Sequence, residues 1–132
     1  MKVLRTQYLV LSTSYLVVLS LISCGTPLER RAYQTVVAAK AFLDSEKKQH
    51  PECQVDQHVP VCATIAKAVA AKDLLIDSIN SYCAGPEFNS GGACNPPQKG
   101  TSTYEQAVAK LQSAIANYNQ VASDLRALSP PK

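Results

Sequence analysis

Residues 102–128, STYEQAVAKLQSAIANYNQVASDLRAL, carry the clearest fold signal in the chain. Apolar side chains recur in this stretch every three or four residues, the spacing that places them on one face of a helix. Ser102 and Glu105 have the spacing of a capping box, and Ser129-Pro130-Pro131 ends the pattern. The stretch therefore predicts an amphipathic helix over residues 103–128. Its apolar face comprises Tyr104, Val108, Leu111, Ile115, Tyr118, Ala122 and Leu125.

Two earlier stretches show the same periodicity. Thr26-Pro27-Leu28-Glu29 is typical of a helix start, because a hydroxyl N-cap precedes a proline and a glutamate. A second start near Pro60 leads to a stop at Gly85-Pro86. These signals predict helices over roughly residues 27–48 and 60–83. The apolar positions are Leu28, Ala32, Val36, Ala39 and Leu43 in the first helix, and Val61, Ile65, Ala68, Val69, Leu75, Ile76 and Ile79 in the second.

No segment shows the alternating pattern of a β-strand, so the sequence predicts an all-α fold, an antiparallel three-helix bundle. Alanine is abundant on the predicted buried faces and aromatic residues make up only 6% of the chain. Such helices approach one another closely but bury little area each. The bundle alone is therefore expected to be marginally stable.

The first 23 residues have the profile of a secretory signal peptide. Lys2 and Arg5 precede an apolar run, Tyr8 to Ser23, that contains no charged residue. A permanent transmembrane helix needs about 20 mostly apolar residues, and this run is shorter and interrupted by hydroxyl groups. Plain secretion and an uncleaved anchor remain alternatives. Cleavage by ordinary signal peptidase favours small residues at −1 and −3, a requirement that Ser23 meets and Leu21 does not.

Leu21-Ile22-Ser23-Cys24 resembles the lipobox of bacterial lipoproteins. The resemblance implies that residues 1–23 are removed and that Cys24 carries the covalent lipid that anchors the protein to a bilayer. Two or more acyl chains give a stable anchor, and no other cofactor is expected. In a Gram-negative organism, Gly25 after the cysteine implies the outer membrane, with the protein facing the periplasm. Residues 24–132 then form a single exported helical domain.

Most of the net positive charge of the chain lies in the predicted signal peptide. The whole sequence has a net charge of +3, and removal of Lys2 and Arg5 leaves eleven basic side chains against ten acidic ones. No segment gathers Lys and Arg into a stripe. Charge therefore argues against nucleic-acid binding.

The cysteine count fits the same interpretation, because assigning one of the five cysteines to lipid leaves an even set in an exported domain. Cys62 and Cys83 fall at opposite ends of the second helix, about 30 Å apart at 1.5 Å per residue, too far to bond. In an up-down-up bundle, Cys53 lies near the start of that helix and Cys94 near its end. The predicted disulfides are Cys53–Cys62 and Cys83–Cys94.

His50, Cys53, His58 and Cys62 form an alternative constellation in the first connection, since zinc takes two cysteines and two histidines. A disulfide between the two cysteines would remove both thiolates. Export favours the disulfide.

Two other features are candidate sites. Phe88 and Asn89 lie in the proline- and glycine-containing loop 84–100, which is either an interaction loop or a cover for one end of the bundle. Lys72 interrupts the apolar face of the second helix and is interpreted as a snorkelling side chain or an ion-pair partner of a neighbouring helix rather than a catalytic group. The sequence contains no haem, Cys-x-x-Cys, phosphate-loop, Gly-x-Ser-x-Gly or His-Glu-x-x-His motif.

The expected function is that of a non-enzymatic, membrane-anchored module of the cell envelope that acts by protein contact, of accessory, inhibitor or immunity type. Its partners would be the bilayer, through Cys24, and a protein or a second copy of the chain. The alternative is a lipoprotein that binds a metal or small ligand in the loop of His50, Cys53, His58 and Cys62.

Overall fold

The computed structural model describes residues 27–83 and 94–129, which form three α-helices. These are α1 (Pro27–Gln49), α2 (Pro60–Cys83) and α3 (Ser102–Leu128), with a short 3-10 helix, Pro51–Gln54, between α1 and α2. Each α-helix contacts the other two, and the described residues contain no strand. The predicted all-α three-helix bundle is confirmed, with each helix boundary within one residue of its predicted position.

The core forms along the predicted apolar faces. Near the α1–α2 connection it contains Leu43, Ile65 and Leu125, and near the other end it contains Val36, Leu75, Ile79, Tyr82, Leu111 and Ile115. Ala39, Ala71, Tyr118 and Ala122 fill the space between them. None of the described helices is long and apolar enough to cross a bilayer.

Small residues bring α2 and α3 together. Ala68, Ala71 and Ser78 of α2 and Ala114 and Ala122 of α3 are all buried. The backbones of these two helices run close together over a greater length than either does with α1. The Ser78 hydroxyl is satisfied within its own helix, because it donates to the Leu74 carbonyl oxygen at 2.7 Å. Ala71 and Ser78 therefore join the interface although the predicted apolar face did not include them.

The N-terminus of α3 corrects one detail of the sequence analysis. The N-cap is Thr101 rather than Ser102, and its hydroxyl oxygen accepts a hydrogen bond from the Tyr104 backbone N–H at 3.2 Å. Gly100 precedes it with φ of +84°, a left-handed conformation that suits glycine. With the cap one residue earlier, Glu105 lies beyond the third helical position, so the predicted capping box does not form. The predicted cap of α1, Thr26, lies outside the described residues.

Both predicted disulfides are present. Cys53 pairs with Cys62 across 5.2 Å between Cα atoms, and Cys83 pairs with Cys94 across 4.5 Å. The first pair spans the α1–α2 connection, and the second spans residues 84–93 between α2 and α3. Each disulfide therefore closes one interhelical connection.

Candidate functional site

A cleft opens beside the Cys53–Cys62 disulfide, where the end of α1 and the following connection meet the first half of α2. Its volume is about 360 Å³, within the range of roughly 300–1,000 Å³ that is usual for ligand pockets. We call it the disulfide cleft. The residues that line it are Lys47, His50, Cys53, Gln54, Gln57, Cys62, Ile65, Ala66 and Val69.

The cleft has an apolar floor and a polar rim. Ile65 and Cys62 are buried, and Val69 is half-buried. Lys47, Gln54 and Gln57 are exposed around the opening. An apolar surface surrounded by a few hydrogen-bonding groups is the usual composition of a binding site, because the floor supplies affinity and the rim supplies orientation.

His50 fixes one wall of the cleft. Its Nδ1 lies 2.8 Å from Glu52 Oε1, and its Nε2 lies 3.0 Å from the Ser129 hydroxyl oxygen. Since an ionised carboxylate only accepts hydrogen bonds, Nδ1 donates to Glu52. Ser129 is 79 residues away in the sequence, just beyond α3. The imidazole therefore ties the α1–α2 connection to the end of the third helix.

Glu46 is the buried carboxylate of the site. The residue is only 6% exposed, and its Oε2 has no hydrogen-bond partner among the described residues. The His50 Nε2 lies 3.8 Å from that oxygen. A buried carboxylate is costly unless a charge or donor compensates it, so the position of His50 bears directly on the stability of this end of the bundle.

Glu46 was missed in the sequence because it lies in a polar stretch, residues 44–48. Its spacing held a signal: it follows Leu43 by three residues and Ala39 by seven, and so continues the buried face of α1.

The four residues of the alternative metal site do not form a ligand set. Cys53 and Cys62 are joined in a disulfide, and His58 is exposed and does not line the cleft. His50 directs one ring nitrogen toward Glu52 and the other toward Ser129. Within residues 27–83 and 94–129, no group of three or more His, Cys, Asp or Glu side chains is placed to hold a metal ion.

Lys72 lies half-buried on α2, and its amine pairs with the Asp73 carboxylate at 2.6 Å. The ion pair thus forms within α2, and not with an acidic residue of a neighbouring helix, which was one of the two predicted roles of Lys72.

Three predicted site residues, Cys24, Phe88 and Asn89, lie outside the described residues. Comparison of the chain with protein-family models, with curated proteins and with solved structures gives no significant match.

Proposed function

We propose that the protein is an exported, lipid-anchored, non-enzymatic module that binds a protein partner through the disulfide cleft. The observation that carries this proposal is the cleft itself, an apolar floor open to solvent beside a polar rim. Anchoring rests on the lipobox resemblance of Leu21-Ile22-Ser23-Cys24.

The walls of the cleft are held in place before any partner arrives. The Cys53–Cys62 disulfide joins the connection to the first turn of α2, and the contact between His50 and Ser129 joins it to the end of α3. A site ordered in advance loses less conformational entropy on binding. These cross-connections favour selective recognition of a particular shape.

The lining residues indicate the chemistry of the partner. Among the described residues that line the cleft, only Lys47 carries a permanent charge and none is a carboxylate. Val55, between Gln54 and Gln57 in the sequence, is 91% exposed and adds apolar surface next to the cleft. We infer that the partner inserts an apolar side chain that has a carboxylate close to it, either from an acidic residue or from a chain terminus.

With a lipid anchor at Cys24, the length of α1 would set the distance between the cleft and the bilayer. Only Gly25 and Thr26 would separate the lipidated cysteine from α1. The 23 residues of α1 span about 35 Å at 1.5 Å per residue. The cleft lies at the far end of that helix, so it would face away from the bilayer.

Photo-crosslinking in intact cells tests the cleft. A photoreactive amino acid in place of Gln57 is expected to capture one specific protein. Ala66→Trp, which fills the cleft from its lining, should abolish that product. Ala41→Trp, on the exposed outer side of α1, should leave it unchanged. A crosslink that survives Ala66→Trp would exclude the cleft as the contact site.

The alternative occupant of the same cleft is a small ligand, favoured by its volume. Native mass spectrometry of the extracted protein separates the two possibilities. A bound small molecule that Ala66→Trp displaces, together with no specific protein crosslink, would replace the proposed function with that of a ligand carrier.

The anchor is tested separately by intact mass. The membrane-extracted protein should have the mass of residues 24–132 plus acyl chains and should resist thiol alkylation. An unlipidated chain would contradict the anchoring while leaving the cleft experiment open to either result.

A further inference from the structure

A second exposed surface lies between α2 and α3, and none of its lining residues comes from α1. Two adjoining cavities of about 340 and 320 Å³ form it, and both are lined by Leu74 and Asn117. We call it the α2–α3 groove. The lining residues used below are Lys67, Ala70, Leu74, Lys110, Asn117 and Val121.

The groove residues belong to a heptad spacing that continues on both helices beyond the groove itself, to positions 77, 124 and 128. On α2, positions 67, 70, 74 and 77 are separated by three, four and three residues. On α3, positions 110, 114, 117, 121, 124 and 128 are separated by alternating steps of four and three. This is the spacing that packs one helix along another. Each helix therefore carries a second packing face besides the one that it buries in the bundle.

The centre of the groove is apolar and small. Leu74 is 47% exposed, although it lies at the middle of α2. Ala70 and Val121 lie beside it. Leu128, four residues beyond Asp124 on α3, is 48% exposed. An apolar centre with charged residues around it is the usual anatomy of a protein interface.

The charges around this centre are self-complementary. Leu74 and Asn117 lie at the same level of the antiparallel helix pair, since both line both cavities. Lys67 and Asp124 lie seven residues from this level in the same direction, about 10 Å at 1.5 Å per residue. Asp124 accepts a hydrogen bond from Gln120 at 2.9 Å. Neither Lys67 nor Asp124 has an ion-pair partner among the described residues.

A two-fold axis parallel to the helices would place α2 of one copy against α3 of the other. Lys67 of each copy then meets Asp124 of its partner, and Lys110 lies about one helical turn from the partner's Asp77. All four helices around the axis run antiparallel to their neighbours, the arrangement of an ordinary four-helix bundle. Both N-termini lie at the same end, as two lipid anchors in one membrane require.

We propose that the α2–α3 groove binds a second copy of this chain about this axis, with reciprocal Lys67–Asp124 ion pairs. The face extends over about 27 Å, the length of 18 residues, on two adjacent helices. That footprint corresponds to the low end of specific interfaces, about 1,200 Å² in total. The dimer is therefore reversible. The proposal goes beyond the disulfide cleft and shares no residue with it.

Charge reversal tests the axis. The full, membrane-extracted protein is examined by sedimentation equilibrium in a density-matched detergent, where the micelle adds no buoyant mass. Lys67→Asp and Asp124→Lys should each weaken dimerisation by about 10- to 30-fold, because each changes two attractive contacts into repulsive ones. The double variant should return to within about threefold of the original constant. Lys40→Asp, an exposed change on α1, is the matched control and should have no effect.

Three results would overturn the proposal. The first is a monomer at every accessible concentration. The second is a dimer that neither single reversal weakens. The third is rescue of Asp124→Lys by Lys110→Asp instead of Lys67→Asp, which indicates an axis perpendicular to the helices. Circular dichroism of each variant shows that the monomer fold is retained, and the crosslink at Gln57 reports on the cleft independently.

Discussion

Each end of the bundle contains one disulfide, but the residues packed beside the two disulfides differ. At the cleft end, the Cys53–Cys62 disulfide lies beside an open concavity, near a buried carboxylate, Glu46. At the opposite end, which we call the tyrosine end, the Cys83–Cys94 disulfide lies beside Tyr82, which is only 1% exposed.

The tyrosine end is filled by aromatic packing. The rings of Tyr82 and Tyr104 are tilted toward each other with centroids 6.3 Å apart, a favourable aromatic geometry. The Tyr82 hydroxyl donates to Glu29 Oε1 at 3.3 Å, which joins α2 to the start of α1. Both ends bury apolar side chains, but the tyrosine end adds a fully buried aromatic ring, whereas the cleft end leaves a concavity beside its disulfide.

The largest effect that this comparison predicts is at Tyr82. Tyr82→Ala should lower the free energy of unfolding by about 3–5 kcal/mol, because it removes a fully buried ring and leaves a cavity. Tyr82→Phe removes only the hydroxyl contact and should cost about 1 kcal/mol or less. Urea unfolding followed by circular dichroism measures both changes. Equal losses in the two variants would mean that the hydrogen bond, not the packing, holds the tyrosine end.

The two disulfides should be similar in stabilising effect despite their different surroundings. Their cysteines are separated by 9 and 11 residues, and loops of this size contribute about 2–3 kcal/mol each in the chain-entropy model. The paired replacements Cys53→Ser with Cys62→Ser, and Cys83→Ser with Cys94→Ser, are compared in the same urea experiment. A difference of more than about 2 kcal/mol between them would show that packing around the sulfurs outweighs loop closure.

A smaller effect is expected from the polar cluster of the cleft end. His50→Ala should cost about 1–2 kcal/mol, because it breaks the contacts with Glu52 and Ser129 and leaves the Glu46 carboxylate uncompensated. Glu46→Gln removes the buried charge, so His50→Ala should cost less in that background. A double-mutant cycle with a coupling of about 1 kcal/mol is expected. Strict additivity would show that the 3.8 Å approach of the two groups has no energetic consequence.

The smallest effect concerns Tyr118, which lies between the two ends. Burial raises the pKa of its hydroxyl above the ordinary value of 10.0, against a weaker lowering by the charge of Arg126. The unfolded chain then loses this proton at a lower pH than the folded chain. Stability therefore falls as pH rises above about 10, by at most about 1.4 kcal/mol per pH unit. Tyr118→Phe should reduce this fall.

Urea unfolding across an alkaline pH series measures the Tyr118 effect. The contribution should be the same in the two variants that each lack one disulfide, because Tyr118 belongs to the middle of the core. If removal of one disulfide abolished the pH-dependent contribution of Tyr118, the middle of the bundle would be energetically coupled to the end that carries that disulfide.

Much of the fold was predictable because helical packing is periodic. The spacing of Leu111, Ile115 and Tyr118 fixes a buried face whatever the partner helix is. The disulfides followed from the rise of a helix, since a separation of 21 positions between Cys62 and Cys83 holds those two sulfurs apart. In both cases the prediction depended on distances within one helix.

The candidate site was only partly predictable, because it depends on contacts between distant segments. Cys62 was predicted as a disulfide partner, and His50 and Cys62 were ligands only in the alternative metal site, but no local pattern indicated that both line an apolar cleft. The contact of His50 with Ser129 joins residues that no local pattern relates. The spacing of Glu46 from Leu43 and Ala39 is that of a buried position, but a charged residue in a polar stretch is ordinarily expected to be exposed.

The position of the disulfides also determines what proteolysis can do to the molecule. Each disulfide closes a loop within one interhelical connection, residues 54–61 in the first and residues 84–93 in the second, which continues to residue 101. Cleavage within either closed loop would leave the two fragments covalently joined, so no helix would be released. The nicked protein would run as one species on a non-reducing gel and as two after reduction. In an envelope that contains proteases, such a two-chain form would be a product of maturation or wear that retains the bundle, rather than a step toward degradation.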